Sequence, residues 1–322
     1  MIYLNAKNIE EIGIHWEKLI DVIEEAVRCL AVNDFAQPVK PYLRYRDLKN
    51  RIIAMPAFVG GAFDVAGIKW IASFPDNIKS GIPRAHSVVI LNKAETGEPV
   101  GIINTALLSI LRTASVTGLM IRYFDNLRQL KNINVGIIGW GPIGRYHYKM
   151  CTDVFGDKIS KIFLYDLREI DLSTINSPHK DKTVVVDRWE DAYSDADVFM
   201  TCTVSKAPYI DRPPKPGSLQ LNVSLRDYKT DIFPFVKDSI IVDDWEEICR
   251  EKTDIEMMHL EKGLNREDTK SIIDVVAGKC MKDYPDGVPV MFNPMGMAVF
   301  DMALGSYYLR EANRGNIGQR LE

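Results

Sequence analysis

The sequence predicts an α/β protein: a doubly wound parallel sheet joined to a second, discontinuous α+β domain. Three observations predict it. From Asn134 to about Pro294, apolar runs of strand length alternate with helix-like segments, the pattern of a parallel sheet. The first of these runs, Ile133 to Ile138, enters the glycine turn Gly139-Trp140-Gly141-Pro142-Ile143-Gly144, and a helix-like segment, Arg145 to Phe155, follows. Between Arg51 and Ile103 the texture differs: strands separated by turns, with no helical pattern between them, which suggests an antiparallel sheet.

Taken in order, Ile2-Tyr3-Leu4 reads as a short strand. An amphipathic helix follows, with Leu19, Ile20, Ile23, Val27 and Leu30 at helical spacing. Pro38 and Pro41 keep the next segment extended. Arg51 to Met55 is a strand that Pro56 should stop. Val65 to Ser73 is a second, and Ser87 to Leu91 with Pro99 to Ile103 forms a hairpin. Thr105 to Phe124 is one helix of small and apolar residues. The later strands are Val135–Ile138, Lys161–Tyr165, Thr183–Val186, Val198–Thr203, Leu219–Val223 and Ser239–Val242. A final helix from about Gly296 to Arg310 lies outside the alternation and should return to the first domain. A length of 322 residues suits two domains. We expect a substrate-binding and dimerisation domain at 1–124 with 296–322, and a dinucleotide-binding domain at 125–295.

Strand, glycine turn and helix together are the Rossmann-type arrangement. Gly139 makes the tight turn, Gly141 lets the backbone approach a pyrophosphate, and Gly144 lets helix and strand pack closely. The helix N-terminus offers free N–H groups to the phosphates. Pro142 fits a first helical turn, where a missing N–H costs little. Asp166 ends the next apolar run, about 20 residues on, where a carboxylate binds the ribose hydroxyls of NAD and repels the 2′-phosphate of NADP. Thr201, Cys202 and Thr203 end another strand and should contact the cofactor, as should Ile143 and Ser224.

Composition excludes other classes. A net charge of −4 and a pI near 5.8 speak against a nucleic-acid or membrane-surface partner. The five cysteines are scattered, with no Cys-x-x-Cys, and the histidines lie far apart, so no metal site is expected. No apolar run approaches the ~20 residues a membrane helix needs. The N-terminus carries Lys7, Glu10 and Glu11 where a signal peptide would be apolar, so the expected compartment is the cytoplasm.

The remaining chemistry lies in cations. Arg112 sits in a helix where positions three and four residues away are Leu108, Ser109, Ser115 and Val116, so no carboxylate pairs with it locally. A guanidinium there calls for an anion: a substrate carboxylate, a cofactor phosphate or a tertiary ion pair. Lys69 lies in a strand that is apolar on both faces, so it must be paired or titrate, unless its ammonium reaches water at the strand end. It would bind a carboxylate or share a proton with an amine or imine. Lys40, Arg44 and Arg84 stand where surface cations are ordinary, yet with Lys69 and Arg112 they would suit a substrate with several carboxylates. Asp227 and Ser224 follow a strand end, where ligands bind in such sheets. Asp301 either pairs with a site cation or is structural, and His86 reads as structural.

These residues resemble the ornithine cyclodeaminase/μ-crystallin family over essentially the whole chain. The resemblance rests on Gln37-Pro38, Met55-Pro56, Gly67-Ile68-Lys69-Trp70, Leu111-Arg112-Thr113-Ala114, the Gly139 to Gly144 turn and Asn293-Pro294-Met295-Gly296-Met297-Ala298. It implies that Lys69 and Arg112 bind substrate carboxylates, that Lys40 or Arg44 supplies a further cation, and that Arg112 and Thr113 also reach the cofactor. Within the family the chain looks most like the diaminopropionate-forming dehydrogenases, over Asn33-Asp34-Phe35, Lys40 to Arg44, Arg51 to Pro56, Thr201 to Val204 and Val242 to Trp245. That implies NAD-dependent cleavage of N-(2-amino-2-carboxyethyl)-L-glutamate, a small amino-acid conjugate, to 2-oxoglutarate and L-2,3-diaminopropionate for siderophore or related biosynthesis. A homodimer is expected on separate grounds, since an antiparallel sheet with a spare apolar face needs covering. Cyclodeaminases proper carry a Gly-Asp-x-Pro-Gly-Lys-type segment where this chain has Ser224-Leu225-Arg226-Asp227-Tyr228-Lys229. The departure argues against ornithine cyclisation and leaves the acid/base open between Lys69 and Asp227. The alternatives are a cyclodeaminase, another amino-acid or ketimine oxidoreductase, or a non-catalytic NAD(P)H-binding protein.

Overall fold

The computed structural model describes residues 1–322. In chain order, β1 (Ile2–Leu4), α1 (Ala6–Ile12), α2 (Trp16–Ala31), β2 (Phe35–Ala36), β3 (Tyr42–Leu43), β4 (Arg51–Val59), β5 (Val65–Ser73), β6 (Ala85–Lys93) and β7 (Pro99–Asn104) lead into the long helix α3 (Leu107–Arg128). Then come β8 (Ile133–Ile138), α4 (Pro142–Phe155), β9 (Ile159–Tyr165), β10 (Thr183–Val185), α5 (Trp189–Tyr193), β11 (Val198–Thr201) and β12 (Leu219–Leu221). The chain continues through α6 (Phe233–Val236), β13 (Ile240–Val242), α7 (Trp245–Ile248), α8 (Asp254–Lys262), β14 (Lys270–Ser271), α9 (Ile272–Val276) and β15 (Val290–Asn293), and closes with α10 (Ala298–Gly315) and β16 (Gln319–Arg320). The chain divides into two units, Met1–Ser115 with Gly296–Glu322, and Val116–Met295. The division falls inside α3, whereas the sequence reading puts it after Phe124.

The first unit is built on one sheet in the order β16-β1-β7-β6-β5-β4-β2, with β3 also on β4. It is antiparallel except where β1 runs parallel to β7, a pair the local sequence could not disclose because some hundred residues separate its members. The chain breaks at Gly13, so two helices stand where the spacing predicts one. Leu19, Ile20, Ile23, Val27 and Leu30 are all buried. Pro56 does not stop its strand. Outer-edge partners reach β4 at Ile52–Ala54, from β3 and Pro41 before it, and at Phe58–Val59, from β2, so Pro56 falls between them where no ladder N–H is required. One face of the sheet carries Met55, Lys69, Val89 and Ile103 in register, all buried, and α10 packs on β4, β5 and β6 and against α2. The other face carries Phe58, Ile68, Trp70, Val88, Ile90 and Ile102, which are half-buried or exposed.

The second unit is a parallel sheet in the order β10-β9-β8-β11-β12-β15-β13-β14. The chain runs outward from β8 to β9 and β10, then crosses back to β11, so the strand order reverses between β8 and β11. That reversal opens a crevice at the carboxyl ends of the two strands. β15, which lies between β12 and β13, and the two-residue β14 escape the sequence reading. The remaining strands are those expected, up to two residues longer or shorter at an end. Ile138, Phe199, Val236, Ile240 and Met291 form part of a core completed by Tyr193, Tyr228 and Ile255.

His147 is fully buried on α4. Its Nδ1 donates to Ile143 O at 2.8 Å and its Nε2 accepts from Thr117 Oγ1 at 2.9 Å, an arrangement made for neutral imidazole. Burial pushes its pKa down to about 4, against the raising effect of the Ile143 bond. The folded value lies below the unfolded ~6.5, so unfolding takes up a proton between them. The His147 contribution is intact above pH ~6.5 and is lost as pH falls toward 4, up to ~3 kcal/mol. Urea midpoints at pH 7.5 and 5 should show this loss, and His147→Gln should reduce it.

Candidate active site

Each unit holds its own constellation. In the second unit the glycine turn follows β8. Gly139 has φ +94°, and a Cβ there would meet the Cys202 carbonyl at 2.4 Å, so the turn presses against the chain leaving β11. Gly141 is the N-cap of α4 and no side chain caps that helix. A Cβ on Gly141 would meet nothing within 4 Å, whereas one on Gly144 would lie 1.9 Å from the Gly139 carbonyl. The second glycine thus faces open space beside uncapped N–H groups, and the third sits hard against the turn. Pro142 is exposed and Ile143 half-buried. Asp166 Oδ2 accepts from Trp140 N at 2.6 Å and Oδ1 from Arg168 N at 2.9 Å, which ties the acid to the turn. A carboxylate has about four acceptor sites, so capacity remains for ribose hydroxyls. An uncapped helix N-terminus, an open glycine and a tethered acid fit a dinucleotide.

Further along the strand ends, Asp227 is buried and both its oxygens are held by hydroxyls. Thr203 Oγ1 donates to Oδ1 at 2.5 Å, and Ser224 Oγ donates to Oδ2. The backbone beneath it is constrained. Leu225 adopts φ +63°, strained for a leucine. Asn222 Oδ1 accepts its N–H, and its carbonyl accepts from Asp254 N. Asp254 Oδ2 takes N–H groups of Asp227, Tyr228 and the Asn222 side chain. Burial pushes Asp254 up to about 7, against these donors, and the charge of Asp227 adds to the rise. Thr201 Oγ1 donates to Asn222 Oδ1 at 3.2 Å, so Thr201 belongs to this support, and Cys202 N bonds to Ile138 O. Sequence reasoning missed Asn222, Asn293 and Asp254. Asn293 lay in a recognised motif, but nothing local marks the other two as partners.

In the first unit, α10 brings Asp301 to the buried face of the sheet. Asp301 is fully buried and Lys69 1% exposed. Lys69 Nζ donates to Asp301 Oδ1 at 3.0 Å and to Ser109 Oγ at 2.7 Å. Arg112 Nε donates to the same Oδ1 at 3.3 Å. Arg112 is 7% exposed, and its Nη1 and Nη2 have no protein acceptor. Gly296 lies against them: its φ is +93°, and a Cβ would come within 2.9 Å of Nη1. The Gly296 carbonyl accepts from Lys40 Nζ, a buried lysine, at 2.8 Å. Burial lowers Lys69 to about 8, the charge of Asp301 opposing this and those of Arg112 and Lys40 adding to it. Two cations therefore share one carboxylate oxygen away from water, with the charge of Lys40 felt by Lys69, and the open guanidinium fork has the shape that grips a second carboxylate.

Arg44 is directed elsewhere: Nη1 donates to Leu48 O, and the guanidinium lies over Tyr42. Arg84 precedes β6, half-buried, its carbonyl bonded to Phe74 N. Thr113 Oγ1 donates to Ser109 O. His86 is exposed on β6. Ser109, the second acceptor of Lys69, is a site residue the sequence showed only as a neighbour of Arg112.

Comparison with known proteins fits this architecture. Residues 2–315 match the model of the ornithine cyclodeaminase/mu-crystallin family. The chain is 34% identical to the N-((2S)-2-amino-2-carboxyethyl)-L-glutamate dehydrogenase of Staphylococcus aureus (strain NCTC 8325 / PS 47), covering 100% of this chain and 98% of that protein. It superposes with a TM-score of 0.88 on Thermococcus litoralis Delta(1)-pyrroline-2-carboxylate reductase in complex with NADH and L-proline, at 19% identity with both chains covered in full. It superposes with a TM-score of 0.80 on an archaeal alanine dehydrogenase dimer with bound NAD, at 24% identity over 100% of this chain and 99% of that one. The chain belongs to the ornithine cyclodeaminase/mu-crystallin family.

Proposed function

We propose that the protein is an NAD-dependent dehydrogenase acting on an amino-acid C–N bond, and that its substrate is N-(2-amino-2-carboxyethyl)-L-glutamate. The reaction consumes the conjugate, NAD⁺ and water, and yields 2-oxoglutarate, L-2,3-diaminopropionate, NADH and a proton. The diaminopropionate serves siderophore or related biosynthesis, and the free state of all five cysteines suits a cytoplasmic setting. The observation that carries the reading is the buried pair of cations Lys69 and Arg112 on one oxygen of Asp301, with buried Lys40 on the Gly296 carbonyl beside Arg112, whose excess positive charge matches a substrate rich in carboxylates. The 34% identity to a dehydrogenase of that conjugate supports the same substrate.

Bound NAD⁺ supplies the hydride acceptor. Gly141 and the first turn of α4 hold its pyrophosphate, and Asp166 its ribose hydroxyls. Thr113, Ile143, Cys202, Thr203 and Ser224 are assigned to the same cofactor, with Thr201 acting through Asn222. The fork of Arg112, with Lys69 and Lys40, binds substrate carboxylate and fixes the glutamate Cα–H for transfer, and such positioning is a large part of catalysis. Arg44 and Arg84 are assigned to the outer carboxylates. Loss of hydride leaves a C=N bond. Water then adds to its carbon, and the C–N bond breaks after proton transfer to nitrogen. Asp227, held by two hydroxyls on a strained turn, is the acid/base for these proton transfers, and Lys69 serves as the second candidate. A second copy of the chain covers the apolar sheet face around Trp70, making a homodimer, a reading supported by the dimer of the archaeal alanine dehydrogenase.

Incubation with NAD⁺ and the conjugate should give equal amounts of NADH and 2-oxoglutarate. Absence of NADH would refute the assignment, and ammonia with proline from ornithine, without net NADH, would point to a cyclodeaminase. Arg112→Ala should lower kcat/KM by ~100-fold or more, since the carboxylate then loses a two-pronged partner.

Lys69 as a carboxylate ligand must be an ammonium. Its pKa of about 8 therefore predicts that kcat/KM falls as pH rises through 8, up to tenfold per unit. A rise through the same range would instead make Lys69 the proton acceptor.

Light scattering should give a dimer mass for the protein and half that mass for Trp70→Glu. An unchanged mass would show that this face is not the interface.

A further inference from the structure

Lys69 has two protein acceptors, Ser109 and Asp301. An ammonium carries three N–H groups, so one is left for a ligand. Asp301 is used unevenly. Its Oδ1 receives both Lys69 and Arg112, while its Oδ2 is buried and receives no donor. An orphaned carboxylate oxygen in a dry site is costly and needs a reason. Here the carboxylate is pinned through one oxygen between two cations, with Lys40 as a third positive charge nearby. With Lys69 protonated, Lys69 and Arg112 set two positive charges against the one carboxylate. The cluster is short of negative charge, and two changes relieve it: Lys69 gives up its proton, or an anion enters.

We propose that the two are coupled: capture of a ligand carboxylate beside Arg112 drives a proton onto Lys69, and Asp301 is the positioning residue that sets the pH at which uptake occurs. The proposal rests on the reading of this cluster as a carboxylate site. The charged groups facing Lys69 are Asp301 from α10, Arg112 from α3 and Lys40 from the segment before β3. Its cross-strand neighbours on β4 and β6, Met55 and Val89, carry no charge. Burial holds Lys69 down to about 8 against the pull of Asp301. A bound carboxylate adds the missing negative charge and raises the ammonium's pKa. At pH 7 the unliganded lysine is already protonated, so binding takes up little. At pH 9 it is mostly neutral, and binding takes up most of one proton. Removing the charge of Asp301 lowers the lysine further and shifts the uptake toward pH 7.

The experiment is calorimetric titration of the intact protein with 2-oxoglutarate at pH 7 and pH 9, in phosphate and in Tris. The difference in heat between buffers counts protons. The wild type should take up close to one proton per ligand at pH 9 and far less at pH 7. Asp301→Asn should show uptake at pH 7, and Asp301→Glu, which keeps the charge, should resemble the wild type. Lys69→Arg stays charged throughout and should bind without uptake. Because it keeps the cluster's charge, it decides the role of Lys69 even if Asp301→Asn does not fold. Binding at pH 9 with equal heats in both buffers would overturn the proposal and leave the carboxylate site standing. Uptake undiminished in Lys69→Arg would also overturn it. No binding of 2-oxoglutarate at either pH would remove the carboxylate site and this proposal together.

Discussion

A carboxylate with no access to water holds two cations on one of its oxygens, and the first unit is arranged around that interaction. A charge as deeply buried as Asp301 is tolerated only when paired. The pairing fixes much else: Lys69 must point to the buried face of β5, Arg112 must lie on the turn of α3 that meets α10, and the guanidinium then lies against Gly296, whose φ of +93° suits glycine. The ion pair is poor evidence for stability, since its desolvation cost offsets its attraction. Its value lies in what remains unsatisfied. One ammonium N–H and two guanidinium nitrogens are left without protein partners, an arrangement suited to an anion.

The second unit follows the same logic with backbone. A glycine turn leaves N–H groups uncapped and a neighbouring space open, and Asp166 is tied to the turn through the N–H of Trp140. At the next strand ends, Asn222 and Asp254 hold Leu225 in a left-handed conformation it would not otherwise adopt, and this holds Asp227 in place. Local strain persists only where the surroundings over-determine it. Asn222 and Asp254 supply that constraint here, and Asn293 Oδ1 in turn accepts from Asn222 Nδ2 at 2.8 Å.

Much of this was legible in the chain. Alternation of strands and helices, the glycine turn and Asp166 are patterns with periods of a few residues, set by hydrogen bonding along the backbone. Lys69 and Arg112 stood out because each is a charge in apolar company. Where the reading fell short, the cause was long range. Pro56 reads as a stop because the sequence does not show where β2 and β3 end on β4. β15 was missed because it is inserted between strands that precede it in the chain. Ser109 and Asp254 gave no signal, since an ordinary serine and an ordinary helix-start aspartate become special only by what they touch.

By itself the sequence determined the α/β class, the position of the dinucleotide turn and the presence of cations without a local partner, because each is encoded in neighbouring residues. The tertiary structure decided which cations share one acid. Lys40, Lys69, Arg112 and Asp301 span 262 residues of chain, and only the docking of α10 on the sheet brings the last of them to the others. It also separated Arg44, whose guanidinium turns to Leu48 and Tyr42, from cations with which the sequence had grouped it. Burial is a property of the packed chain, and burial is what turns Lys69 from an ordinary ammonium into a group that titrates near pH 8.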